Sequence, residues 1–484
     1  MTRPLALCLL ALASTATAAD PKPQGFAVTY PASLAPGPIS ARVYVMLGPS
    51  PTRAEPRNGP DWFRPQPFFA VDAKGWKPGE PLRFDDAAAG FPGPLSTLAP
   101  GKYSAQAVIR LNPDTHSLGN GEGNSYGPIV AFTAGEAVDL TVDKIVAAKP
   151  FAETATLKLV DIPSPILSAF HGRPIRHRAA VVLPVGESKP RAALYIIPGF
   201  GGDHTMAAGL ARGGRMNYAK DLIRVVLNPD CGTGHHVFAD SANNGPRGRA
   251  LIEELIPHIE KTYNAIPEPR SRLLNGHSSG GWSSLWLQVT YPDYFGGTWS
   301  TSPDPVDFRD YQRINLYAND ENTFLDRQGQ RRPLARRAGR AVLFVEDFAR
   351  MEDVIGDGGQ LHSFEAVFSP KGPDGRPRPM YDRKTGDVIT EVAHLWEPFD
   401  IRLVLEKNWS TLGPKLAGKL HVITGDIDTF YLEGAVKLLK ASLAKLGSDA
   451  VVEILPGKDH SDILDAELAA RLDREMHESL GKGK

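Results

Sequence analysis

Cysteine is almost missing. The 484-residue chain has two, Cys8 and Cys231. Cys8 lies in a leader-like segment, so removal of that leader leaves Cys231 alone and excludes an intrachain disulfide. An excess of either charge is also missing. Lys and Arg total 54 against 55 Asp and Glu, for a formal net charge of -1. No global attraction to nucleic acid or an anionic membrane follows, and neither is expected as a partner. Long apolar runs are lacking too. The longest, 5–13, is well short of the roughly 20 residues that cross a bilayer, so no membrane span is expected.

Turn formers are plentiful, with 47 Gly and 42 Pro. That share is above the ordinary one and below that of disordered chains, so a folded protein with many turns and long surface loops is expected. The length suffices for a large α/β domain and a smaller companion.

The chain opens MTRPLALCLLALASTATAAD. Arg3 precedes the apolar run, and small residues follow with an A-x-A-like site at Ala16-Thr17-Ala18. This order predicts a signal peptide over 1–19 and a secreted or periplasmic protein; the alternative is a buried N-terminal helix. Cys8 lies inside the apolar run rather than at the cleavage site, which argues against a lipid anchor. Cys231 reads as a small, partly buried thiol after a strand rather than a nucleophile.

Residues 21–100 carry 16 prolines with short β-type runs among and after them, at 41–47, 103–111, 128–133 and 137–146. Alternation and close turn signals predict a small all-β, sandwich-like domain over 20–150. Its aromatics Trp62, Phe63, Phe68, Phe69, Trp76 and Phe84 fit core and loop packing better than a sugar-stacking platform. From about 155 the pattern changes. Apolar runs at 179–183, 193–197, 222–227, 419–424 and 450–455 read as buried strands. Helical patterns lie between or beyond them at 251–263, 432–446 and 463–480, with a kink expected at Pro257. Strand–helix alternation predicts an α/β domain over 151–484 with a mostly parallel sheet. Residues 305–415 interrupt that alternation and read as a lid-like insertion. Its Arg cluster, RRPLARRAGR at 331–340, is expected on a solvated helix face rather than at an anion site. His394 and Trp396, in the same insertion, read as packing residues rather than a cover over substrate.

The strongest local signal is Gly276-His277-Ser278-Ser279-Gly280-Gly281, between a short strand-like run at 271–275 and an apolar helical stretch. G-x-S-x-G at a strand-to-helix turn is the nucleophile elbow. The turn is too tight for bulky neighbours, so the serine side chain stands out at its tip, and the helix N-terminus behind it favours developing negative charge. An oxyanion hole needs a second backbone N–H from the loop after an earlier strand. The Gly-rich loop 198–204 offers Phe200 N–H, beside Ser279 N–H at the elbow. Gly201, His277 and His236 are candidate substrate-binding residues. The pair His235-His236 with Asp240 has a metal-like grouping, but a serine mechanism needs neither metal nor cofactor, and pocket lining or loop hydrogen bonds are the favoured roles.

The chain order expected after the serine is acid, then histidine. Asp426 and Asp428 follow the strand at 419–424, and Asp304 follows an earlier one at 297–300. His460 alone occupies a loop after the next strand. Ser278, Asp428 and His460 are the favoured triad, with Asp426 and Asp304 left open as the acid.

GHSSGGW, GDIDTFYLEG and LPGKDHSD resemble the "Putative esterase" family of α/β-hydrolases, typified by esterase D and including enterochelin-esterase-like proteins, feruloyl esterases and mycolyltransferases. The resemblance spans about 175–305 and 415–480. The family's acid motif, Gly-x-x-Asp-x-Phe, implies Asp428, and its Gly-x-Asp-His-Ser motif implies His460. The implied fold is an α/β-hydrolase. The implied activity is cleavage of a small-molecule or polymer-linked ester through an acyl-enzyme, with a serine peptidase or acyltransferase as the alternative.

Overall fold

The run at 193–197 is apolar throughout, and that at 223–227 is apolar but for Arg224, so neither presents a polar face. A strand of that kind is stable only where both faces of its sheet are covered. The computed structural model describes residues 25–52, 54–186, 189–214 and 218–481, and all five residues of each run are buried in it. The signal-peptide expectation, over 1–19, lies outside the described residues.

Both runs belong to an eight-stranded sheet. Its strands are β1 (Leu157–Pro163), β2 (Arg176–Val182), β3 (Ala193–Ile197), β4 (Ile223–Leu227), β5 (Arg272–His277), β6 (Gly297–Thr301), β7 (Leu420–Gly425) and β8 (Val451–Leu455). The spatial order is β1-β2-β4-β3-β5-β6-β7-β8. β2 pairs antiparallel with β1 and β4; every later junction is parallel. The parallel registers align the strand ends, with Ile197 opposite Gly276, His277 opposite Thr301 and Gly425 opposite Leu455. The loops after β3, β5, β6, β7 and β8 therefore leave one edge of the sheet together, where ligands of open parallel sheets bind. The helices used below are α1 (Ser279–Thr290), α2 (Val345–Ile355), α3 (Gln360–Phe368), α4 (Ile401–Leu416), α5 (Glu433–Lys445) and α6 (Ala466–Gly481). Pro257 is the second residue of the helix Ile256–Tyr263, which continues from a π-helical turn, Leu251–Leu255. The wider turn accommodates a residue that brings no N–H and whose ring crowds the carbonyl four residues back.

N-terminal to this sheet stand two smaller ones. One has three strands around Gly25–Thr29; the other has seven, centred on Ile39–Pro49, Phe68–Trp76 and Lys102–Arg110. Strand alternation sends Val43, Val45 and Leu47 into the core that Phe26, Phe69 and Ile109 also fill. Tyr44 and Met46 face the other way and share a core with Phe348, Val354 and Phe364 of the insertion. Tyr44 Oη also donates to Ile355 O at 2.6 Å. The N-terminal sheet is thus covered on its second face by α2 of the insertion, which explains the near-continuous apolar character of 41–47.

The segment between β6 and β7 holds a hairpin, Pro333–Arg337 with Arg340–Phe344, followed by α2, α3 and α4. The Arg cluster does not lie on a solvated helix. It forms this hairpin, and its members have partners: Arg331 pairs with Asp347 at 2.5 Å, Arg332 with Glu321, and Arg336 with Glu433 at 2.7 Å. Trp396 is buried and donates from Nε1 to Ser369 Oγ at 2.8 Å, while His394 pairs with Glu397 at the surface. No helix among the described residues is long and apolar enough to cross a membrane.

Candidate active site

β5 runs into Ser278, and α1 begins at the next residue. Ser278 adopts φ 60° and ψ −126°, a conformation an L-residue holds only when its surroundings impose it. Here they do. Ser278 N–H donates to Thr301 O at 3.0 Å, and its carbonyl accepts from Trp282 N–H at 3.0 Å and Asp304 N–H at 3.3 Å. The flanking glycines are demanded by close approach. A Cβ on Gly276 would stand 1.9 Å from Gly280 O, and one on Gly280 would stand 1.9 Å from Ile197 O.

The loop after β3 crosses directly over the serine. A Cβ on Gly199 would lie 3.1 Å from both Ser278 Cβ and His277 O. Phe200 follows, lining the same cavity as Ser278. Ser279 is the first residue of α1, so its N–H has no acceptor within the helix. His235 holds this loop from below. Its Nδ1 accepts from Val237 N–H at 3.1 Å, which leaves Nε2–H to donate to Pro198 O at 2.9 Å. Burial pushes the His235 imidazole down to about 4, so it stays neutral and keeps that bonding pattern near pH 7.

The three carboxylates weighed in the sequence are separated by the fold. Asp428, fully buried, accepts from His460 Nδ1 at 2.8 Å through Oδ2 and from Phe430 N–H at 2.9 Å through Oδ1. Burial alone would raise its carboxyl, but the charge and hydrogen bond of His460 and the Phe430 N–H together hold it below its ordinary value. Asp426 instead accepts from Gly457 N–H at 2.7 Å and shapes the turn before His460. Asp304 accepts from Ser279 Oγ at 2.5 Å. The bond from Nδ1 leaves His460 Nε2 as the ring's free acceptor. The ring packs 4.5 Å from that of His277 and edge-on to Phe430 at 5.0 Å, centroid to centroid.

Ser278, His277 and His460 open onto one cavity of about 610 Å³. Its walls are mainly apolar, with Trp62, Phe200, Leu334, Phe348, Phe364 and Phe430 prominent. Two expected substrate contacts are corrected. His236 is buried away from this cavity and its Nδ1 accepts from Phe238 N–H at 3.2 Å, so it belongs to the loop's own bonding. Gly201 does not line the cavity either; its φ of +80° turns the loop just beyond Phe200. Cys231 is buried, not partly buried, and burial pushes its thiol up.

Two other participants are not foreseen from the sequence: Trp62, read there as core or loop packing, lines the cavity, and Arg336 supports the acid's loop. Trp62 comes from the N-terminal Pro-rich region and packs its ring tilted against Phe200 at 5.6 Å and edge-on to Phe348 at 4.9 Å, centroid to centroid. Phe63 lies beneath the Arg337 guanidinium, whereas Phe68, Phe69, Trp76 and Phe84 are core residues. Arg336, from the insertion, donates to Asp428 O at 3.0 Å and Asp426 O at 3.3 Å, gripping the loop that carries the acid. Both roles, Trp62 at the cavity and Arg336 on the acid's loop, depend on chain segments far from Ser278 in sequence.

Residues 232–407 match the family described as "Putative esterase", in line with the motif resemblance. The match includes the elbow and most of the insertion but stops before Asp428 and His460, unlike the two blocks the motifs suggested. It supports ester hydrolysis by an enzyme of the carboxylic ester hydrolase class. Among solved structures, similarity extends to the S-formylglutathione hydrolase of Agrobacterium tumefaciens, at 13% identity and TM-score 0.41, covering 67% of this chain and 97% of that one. It extends also to the fluorophosphonate-binding serine hydrolase F of Staphylococcus aureus, at 14% identity and TM-score 0.40, covering 67% and 98%. A ferulic acid esterase of Anaeromyces mucronatus is similar at 15% identity and TM-score 0.34, covering 69% and 94%.

Proposed function

We propose that the protein is an exported serine esterase that cleaves carboxylic esters through an acyl-enzyme on Ser278. The observation that carries this reading is the Asp428–His460 hydrogen bond of 2.8 Å beside an elbow serine, with His460 and Ser278 lining one cavity. Ser278 Oγ attacks the ester carbonyl while His460 Nε2 takes its proton. Negative charge then develops on the carbonyl oxygen, and Phe200 N–H and Ser279 N–H donate to it; a fixed donor of this kind contributes roughly 10²–10³-fold in rate. His460 returns the proton to the departing alkoxide. Water, activated by the same imidazole, releases the acid and restores Ser278. Asp428 keeps the ring in its Nδ1–H form and stabilises the imidazolium. The leader-like segment 1–19 supports export.

Intact mass after a fluorophosphonate probe tests the nucleophile. One adduct on wild type and none on Ser278→Ala is expected; equal labelling of both removes Ser278 from the reaction. A peptidase or acyltransferase can use the same three groups. p-Nitrophenyl esters turning over while matched p-nitroanilides do not, with water rather than an added alcohol as acceptor, is the expected pattern.

A further inference from the structure

The mechanism above leaves one buried carboxylate in the cavity unused. Asp304 is 5% exposed and lines the cavity, and its backbone N–H contacts the Ser278 carbonyl. Its Oδ2 accepts from Ser279 Oγ at 2.5 Å and Gln360 Nε2 at 3.4 Å. Gln360 Nε2 also reaches Ser279 Oγ at 3.2 Å. The amide must present nitrogen to the carboxylate, so its oxygen is left over. Gln360 Oε1 is buried and has no hydrogen-bond partner among the described residues. Asp304 Oδ1 takes no hydrogen bond from them either. Of these two acceptor oxygens without a donor, Gln360 Oε1 is the fully buried one, and both belong to residues that line the mainly apolar cavity with Ser278. A buried acceptor without a donor is costly, and this cost is removed when a ligand supplies one.

We propose that Asp304 and Gln360 form a polar subsite that accepts a hydrogen-bond donor, a hydroxyl or an ammonium, carried by the ester substrate a few bonds from its scissile carbonyl. The subsite rests on the esterase reading and narrows it. The apolar walls take the body of the substrate, and the acceptor pair selects those bodies that carry a donor near the reacting end. Burial pushes the Asp304 carboxyl up to about 6, so it is largely ionised near neutral pH and ready to accept. A site built to bond a substrate hydroxyl discriminates against the analogue without it because its own buried groups are then left unpaired.

The test compares kcat/KM at pH 8 for p-nitrophenyl butyrate, p-nitrophenyl 3-hydroxybutyrate and p-nitrophenyl 3-aminobutyrate, and for butyl against glyceryl butyrate with the donor on the alcohol side. Wild type is expected to prefer a donor-bearing member of at least one pair by about tenfold or more, the size of one hydrogen bond to a charged group. A hydroxyl preference and an ammonium preference identify the two kinds of donor separately. Asp304→Asn and Gln360→Met should bring that ratio toward one, and because each ratio is internal to one protein, a general loss of activity cancels. Wild type turning over all members of a pair alike, in every pair, overturns the subsite and leaves the esterase reading standing. So does a preference that survives both substitutions. No turnover of any ester, together with no fluorophosphonate adduct, overturns both.

Discussion

Three glycines around the serine respond to alanine differently, and the most informative is Gly199. It does not occupy the left-handed region, so alanine is compatible with its backbone. The added methyl meets Ser278 Cβ and His277 O at 3.1 Å and Ser278 Oγ at 3.7 Å. The first two contacts need a shift of a few tenths of an ångström. The third stands where substrate must come, because a reacting carbonyl carbon approaches its nucleophile to about 3–3.5 Å. Gly199→Ala should therefore fold while losing about 10²-fold or more in kcat/KM on short p-nitrophenyl esters, the usual penalty of an ångström's misplacement. Gly201→Ala is the control. Its Cβ meets nothing, but φ +80° costs about 1–2 kcal/mol, so it should lower the melting temperature by a few degrees and spare activity. Gly280→Ala drives a methyl to 1.9 Å from Ile197 O, backbone against backbone, and should fail to yield folded protein. Melting curves and ester kinetics on the three variants decide the matter. Near-wild-type kcat/KM in Gly199→Ala refutes the placement of this loop over the reacting face of Ser278.

Asp428→Asn should lower kcat by about 10⁴-fold through loss of the correct imidazole tautomer, while Asp426→Asn, which keeps an acceptor for Gly457 N–H, should stay within about threefold; steady-state ester kinetics separate them. His235 adds an acid sensitivity. Its folded value of about 4 lies below the ordinary 6.5, so the unfolded chain binds its proton first. Stability from keeping it neutral is present above pH 6.5 and is lost as pH falls toward 4, by at most about 3 kcal/mol. Urea unfolding midpoints should fall over that window and fall less in His235→Gln, whose amide can still donate to Pro198 O; equal slopes in the two proteins count against this account. Trp62→Ala should raise KM for bulky aromatic esters by about tenfold and leave acetate esters nearly unchanged, and an equal effect on both would mean that Trp62 packs the domain contact without meeting substrate.

Much of the α/β half was legible because its signals are local. A strand buried on both faces must be apolar along its length, and a strand-to-helix reversal with Gly on either side of a serine leaves few alternatives. The runs at 193–197 and 419–424 lie within a residue of β3 and β7, and the elbow's strand, turn and helix appear where the motif demands. Local pattern misled where a residue's environment comes from elsewhere. The Arg cluster at 331–340 has the charge spacing of a solvated helix face, yet it forms a hairpin whose partners lie on two other segments, Glu321 before it and the Asp428 carbonyl and Glu433 on the stretch from β7 into α5. His236 sits in the right loop for a substrate contact, but its ring nitrogen is taken by a backbone N–H two residues on.

Sequence alone determined the candidate serine, the order of acid and histidine after it, and the short list of carboxylates, because strand ends and turns are written in consecutive residues. Tertiary structure decided what each carboxylate meets: the motif resemblance favoured Asp428, and the turn after β7 aims Asp428 at His460 and Asp426, two residues before it, at Gly457 N–H. It also decided that Trp62 and Gln360, from the N-terminal region and the insertion, share a cavity with Ser278. Contacts of that kind form where separate elements close over the sheet edge, and no local spacing encodes which side chains they will bring together.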